Sequence, residues 1–290
     1  MQTMRVGEDP TRLARTAPNI PSGGSRKRGF RMWTIKRLGS WLPVILFLSP
    51  GQSASPEEKA IEPKAEQVLR EVADYLTGSS ALAFKAEASI DEFHETGLKI
   101  QTSARRTMAV RRPDRAASNL DGDRASRSAW YDGKTISVLD KRHNTYSVLQ
   151  APDSLDAALD FLAEEYDIVL PLADFVRDDV YESLSSAANF GVYVGLHEVD
   201  GVLCHHLAFA NDFLEWQIWV DAGKEPLPRK IVINYKDEPG EPQFTARFLS
   251  WNLSAELPDD LFQFTPPEGA QELKPESMAS RIGLIKEEKP

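Results

Sequence analysis

Residues 190–264 read FGVYVGLHEVDGVLCHHLAFANDFLEWQIWVDAGKEPLPRKIVINYKDEPGEPQFTARFLSWNLSAELPDDLFQF, and this stretch decides the fold. Runs rich in β-branched and aromatic residues occupy 190–199, 202–210, 213–221, 227–236 and 243–253. Between them lie Asp200 and Gly201, Asn211 and Asp212, the D-A-G-K from Asp221 to Lys224, and the D-E-P-G from Asp237 to Gly240. Aspartate, asparagine and glycine tolerate the positive φ that tight antiparallel turns need. Evenly spaced strands joined by such turns predict an antiparallel meander. In the run 213–221, Leu214, Trp216, Ile218 and Val220 make one wholly apolar side, while Phe213, Glu215, Gln217 and Trp219 make a mixed one. The first side is therefore the candidate interior.

The rest of the sheet lies upstream. Leu82, Phe84, Ala86, Ala88 and Ile90 alternate with Lys85, Glu87 and Ser89, the pattern of a half-buried strand. Further strands are expected over 98–110, 116–120, 124–131, 135–140 and 145–149, with a basic run (Arg105, Arg106, Arg111, Arg112, Arg115, Arg124, Arg127) among the first of them. Three segments read as helices. Val68, Leu69, Val72, Tyr75 and Leu76 predict one over 57–76, with Pro63 suggesting a start just before it, and Leu155, Ala158, Leu159 and Leu162 predict another over 154–166, capped by Asp153 or Ser154. A shorter helix follows Pro171, over 173–184. Six strands, a helical insert and five more strands without βαβ alternation predict an α+β fold.

The termini stand apart from that unit. Residues 1–31 are rich in Arg, Pro, Gly and Ser without apolar periodicity, and read as a disordered or misassigned extension. Residues 32–54 read as a signal peptide: Met32, basic Lys36 and Arg37, an apolar run over 41–48, then small Gly51, Ser53 and Ala54. That run is shorter than the about 20 residues a membrane span requires. Residues 55–267 form the single expected domain, and the polar stretch 268–290 is expected to be a flexible tail.

Cys204 is the one cysteine, so no internal disulfide staples an exported chain of this sequence. Net charge is −10, and residues 1–54 hold nine of the 34 basic residues but two of the 44 acidic ones, so the remainder is more acidic still. An acidic domain is a poor partner for nucleic acid, whose binding rests on phosphate neutralisation, and for an anionic membrane surface. No stable membrane insertion is expected of the mature chain.

Chemistry is sparse. In C-H-H, Cys204 and His206 share a strand face and His205 points away; with His197 across the turn they offer a metal-ligand set, or a core cysteine beside half-exposed histidines. Asp178 with Asp179 and Glu164 with Glu165 are neighbours on expected helices and do not converge on one atom. G-x-S-x-G, H-E-x-x-H and dinucleotide or phosphate-loop signatures do not occur. No catalytic residue, metal or cofactor is assigned.

The order R-R-P-D-R (Arg111 to Arg115), W-Y-D-G-K (Trp130 to Lys134), helical insert, L-P-R-K-I (Leu227 to Ile231) and the ending L-P-D-D-L-F-Q-F-T-P-P resembles the bacterial lipoprotein-carrier superfamily, LolA/LolB-like. Within it the chain most resembles a group of predicted periplasmic proteins, over roughly residues 64–267. The resemblance implies a large antiparallel, incomplete, half-open β-barrel wrapped around covering helices, with an apolar cavity for an acyl chain, lipid or lipoprotein. It also matches Arg112, before Pro113, to a carrier arginine that holds the helical lid closed, although the carrier's aromatic residues after that R-P are replaced here by D-R-A-A-S-N. The expected lining is Phe84, Ile90, Trp216, Ile218 and Phe248, with Arg112 at the lid. The alternatives are an envelope sensor that binds another protein, as some half-barrel relatives do, and a metal-dependent enzyme at Cys204 and His206.

Overall fold

The computed structural model describes residues 60–281, except 95, 167 and 187. The extension 1–31 and the signal peptide 32–54 lie outside the described residues. The chain opens with a two-residue strand, β1 (Ala60–Ile61), and helix α1 (Pro63–Thr77). The helix starts at Pro63, as the proline suggests, and not at residue 57. A proline ring presets helical φ and lacks the N–H that a first turn leaves unpaired. Val68, Leu69, Val72 and Leu76 all face the core from α1.

A meander of six strands follows: β2 (Ala81–Phe93), β3 (Lys99–Arg111), β4 (Arg115–Gly122), β5 (Ser126–Tyr131), β6 (Thr135–Asp140) and β7 (Thr145–Gln150). The insert holds α2 (Leu155–Tyr166), a 3₁₀ turn (Ala173–Val176) and α3 (Val180–Ser185). The expected helix over 173–184 is thus two pieces. Asp179 interrupts it because its carboxylate accepts the Glu182 backbone N–H (2.8 Å) and caps α3. The second meander is β8 (Phe190–Val199), β9 (Val202–Ala210), β10 (Leu214–Asp221), β11 (Pro228–Tyr235) and β12 (Gln243–Asn252).

All strands join one sheet in the order β1-β8-β9-β10-β11-β12-β2-β3-β4-β5-β6-β7, with β13 (Gln271–Glu272) at the far edge. The pairings are antiparallel except β1 with β8 and β13 with β7. The two edges do not pair with each other, so the barrel is half open. Its concave face and the helices bury one continuous apolar core.

The C-terminal chain crosses the outer face. Arg111 donates to the Leu257 carbonyl (2.9 Å), pairs with Asp259 and lies over the Phe262 ring, and Phe264 packs on Trp130 and Tyr146. Where the polar composition marks a free tail from 268, the chain instead adds β13 to the edge of β7, through Gln271 N–H to Asn144 O (3.0 Å) and Leu273 N–H to Tyr146 O (2.7 Å). Helix α4 (Pro275–Arg281) follows, with Met278 buried. Backbone pairing needs no apolar side chain, so composition does not announce it. No described helix is long and apolar enough to cross a membrane.

Candidate ligand-binding site

Strand register arranges the concave face in rows. One row runs Phe248, Ala86, Arg106, Leu120, Arg127 and Asp140 from β12 to β6. The next is made only of small residues: Ala246, Ala88, Ala104 and Gly122. A third carries Phe244, Ile90 and Thr102. Ala246 is fully buried in the core, while Ala88, Ala104 and Gly122 are half-buried and form the floor of a trough between the neighbouring rows. A Cβ added at Gly122 would stand 2.4 Å from the Ala104 Cβ, so the floor closes tightly there.

Four of the expected lining residues belong to the filled part of this face. Phe84, Trp216, Ile218 and Phe248 are 2%, 1%, 0% and 4% exposed. Phe84 meets Phe248 edge to face at 5.4 Å, Phe175 of the 3₁₀ turn meets Phe248 at 5.3 Å, and Trp216 stacks on Phe209 at 4.2 Å. Helix side chains take up the volume that the sequence reading reserved for a ligand. Ile90 lies on the same face farther along β2 and is 37% exposed. Ile100, near the start of β3, is 40% exposed.

Arg112 ties three segments together. Its Nη1 donates to Ser79 O just after α1, its Nη2 donates to Arg177 O just before α3, both at 2.9 Å, and its Nε stands 3.2 Å from Asp178 Oδ1. Burial lowers its pKa, and the nearby Asp178 and Asp156 carboxylates act the other way. The guanidinium's forked donors suit this joint, because each bond satisfies a carbonyl or charge of a different segment.

Arg106 and Arg127 were not singled out from the sequence. Both point inward and both are half-buried rather than closed off. Burial pushes the Arg106 guanidinium down to about 10 and lowers Arg127 as well. The available signal was their place in the basic run; which of the adjacent Arg105 and Arg106 turns inward follows from β2–β3 register.

The histidine cluster lies on the outer face. His197 Nδ1 and His206 Nδ1 are 2.9 Å apart, and His206 Nε2 donates to Gln217 Oε1 at 3.0 Å, which leaves His206 Nδ1 to accept from His197. Trp219 stacks on His206 at 4.0 Å, and burial lowers the His206 pKa. The Cys204 thiol donates to Val202 O (3.3 Å). The nitrogens that would face a shared cation face each other instead. No group of three or more metal-ligating side chains occurs among the described residues. A groove of about 480 Å³ also lies against the sheet, bordered by Lys85, Thr107, Asn119, Trp130, Ser250 and Leu261.

The chain resembles several solved structures. LprF from Mycobacterium bovis is 13% identical over 73% of this chain and 99% of that one, with a TM-score of 0.43. The lipoprotein LppX from Mycobacterium tuberculosis is 13% identical over 67% and 98%, with a TM-score of 0.41. A LolA superfamily protein from Nitrosomonas europaea is 10% identical over 69% and 97%, with a TM-score of 0.32. Comparison with the curated proteins returns no match. The family model described as "Predicted periplasmic protein (DUF2092)" matches residues 65–274, which span the open sheet from α1 to β13. The chain belongs to this periplasmic family, DUF2092.

Proposed function

We propose that this protein is a non-catalytic periplasmic binding protein that sequesters or carries an apolar ligand, an acyl chain free or borne by a lipid or lipoprotein, in the concave trough of its half-open barrel. One observation carries the reading: the apolar inner face continues past its helical cover. Ile90 and Ile100 stay open to solvent beyond the buried Phe84 and Ala86, beside a floor of Ala88, Ala104 and Gly122. Small side chains give depth, exposed isoleucines give apolar walls, and each Å² withdrawn from water contributes about 25 cal/mol. Arg112 fits the part of a latch, since its bonds to Ser79 and Arg177 hold the segments after α1 and before α3 to the end of β3. Residues 32–54 supply the export signal in this reading.

Native mass spectrometry of protein purified from the periplasm without detergent, repeated after organic extraction, tests it. The expected result is a bound mass in the range of an acyl lipid that extraction removes. A bare polypeptide mass sinks the carrier reading and moves weight to a protein-binding surface. A stoichiometric metal that disappears in Cys204→Ala overturns both.

A further inference from the structure

The inner face beside the trough carries two arginines, one on each side of a leucine. Arg106 on β3 and Arg127 on β5 flank Leu120 on β4 in one register row. Two strand spacings separate their backbones by about 10 Å, within reach of two arginine side chains converging on one anion above the leucine. Among the described residues Arg106 makes a single hydrogen bond, from Nη1 to Ser118 Oγ at 3.4 Å. Arg127 Nε is buried without an acceptor. Neither guanidinium forms an ion pair among the described residues.

The carboxylates on this side are already engaged. Glu92 pairs with Arg124 and accepts from Thr102 Oγ1 at 3.4 Å. Asp140, next to Arg127 in the row, accepts the backbone N–H groups of Arg142 (3.0 Å) and His143 (3.3 Å) and lies 2.9 Å from His143 Nδ1. By contrast Arg105, one residue from Arg106 but on the outer face, pairs with Glu87 at 2.8 Å. The Asp140 carboxylate acts on Arg127 through its charge without forming an ion pair, and the Arg142 guanidinium opposes it; Arg106 has no carboxylate acting on it, and in a chain of net charge −10 that is not explained by a shortage of acid. A partly buried cation without a paired counter-ion is costly, and an anion supplied by a ligand would offset that cost. Arg106 remains cationic at neutral pH even with its pKa pushed down to about 10.

We propose that Arg106 and Arg127 form a head-group subsite, so that the ligand of the trough is an anionic amphiphile. A carboxylate or phosphate sits between the two guanidiniums, and the acyl chain lies over Ala104 and Ala88 toward Ile90. Guanidinium forks match both oxyanions in geometry and charge. The proposal rests on the apolar-ligand reading above and specifies the other end of the same molecule.

The test titrates the full chain with laurate, dodecyl phosphate and 1-dodecanol, read by tryptophan fluorescence below micelle formation. The parent protein is expected to bind the two anions about 10-fold or more tightly than the alcohol, the range of charge-assisted hydrogen bonds. Arg106→Gln should remove most of that preference without weakening 1-dodecanol, and Arg106→Lys should keep part of it. Arg127→Gln gives the same reading at the second guanidinium. Equal affinity of the parent for all three probes overturns the head-group subsite and leaves the apolar trough standing. That comparison needs no variant, so a misfolded Arg106→Gln does not remove the test. Binding of none of the probes overturns both readings. Complete displacement of laurate by millimolar inorganic phosphate, with no dependence of affinity on the acyl tail, overturns the amphiphile in favour of a free-anion site.

Discussion

Phe84 and Ile90 stand on one face of one strand, yet their surroundings are opposite. Phe84 is wedged against Phe248 at 5.4 Å and Trp251 at 4.9 Å, and Phe175 from the helical insert closes over that aromatic group. Ile90 has Phe244 and Thr102 as register neighbours and remains open to water. β2 pairs with β3 without a break at both places, while β12 bulges between Phe248 and Ser250 beside Phe84; the difference in exposure comes from what lies across from the strand. Strand alternation chooses a face; the insert between the meanders decides how much of that face becomes core and how much stays open to water.

The comparison breaks most easily at the covered end. Phe84→Ala is expected to destabilise the protein by about 3–5 kcal/mol, the range for emptying a fully buried aromatic site. Urea unfolding of parent and variant measures it from the shift in midpoint at unchanged slope. A loss below about 1 kcal/mol would mean that this end is slack enough to collapse, and the distinction between packing and binding regions would fail.

The insert itself supplies a second test. Asp174, in the 3₁₀ turn, is buried, and its pKa is pushed up to about 6 chiefly by that burial, against the hydrogen bond that Ser183 Oγ donates at 2.6 Å. Between about pH 4 and 6 the unfolded chain releases this proton while the folded chain keeps it. Stability therefore falls as pH rises through that window, by about 2–3 kcal/mol for a shift of this size. Asp174→Asn should be more stable than the parent at pH 7 by about that amount and equal to it near pH 4. Urea midpoints at four pH values check the prediction, and parallel profiles for the two proteins would show that Asp174 ionises without strain in the closed insert.

Much of this architecture is legible from residue order because it rests on local rules. The D-G and N-D pieces mark turns between β8, β9 and β10, and the alternation around Trp216 and Phe84 selects the buried side of each strand. What stays hidden depends on distant contacts. Arg112 bonds to carbonyls 33 and 65 residues away, so its motif marks a strand end while its structural part depends on Ser79 and Arg177. Arg105 and Arg106 are consecutive, and nothing in K-I-Q-T-S-A-R-R-T-M decides which turns inward until β3 is registered on β2. The aromatic residues of the candidate lining carried the same ambiguity in another form: an inward, greasy side chain reads alike whether a helix or a ligand covers it.

The smallest expected effect on stability is at the open end, and it tests that ambiguity directly. Ile90 is 37% exposed, so Ile90→Ala surrenders only part of a side-chain transfer energy and leaves no enclosed void; about 1 kcal/mol or less is expected. The same change should weaken 1-dodecanol binding about 3-fold to 10-fold, because the missing side chain is a wall of the trough. Stability and affinity measured on one preparation therefore diverge at Ile90. At Phe84, a change in affinity is expected only as a consequence of the lost fold. If Ile90→Ala costs as much stability as Phe84→Ala, something covers the trough in solution and both ends are core. If it changes neither quantity, Ile90 is an ordinary exposed side chain and the apolar face ends where the insert does.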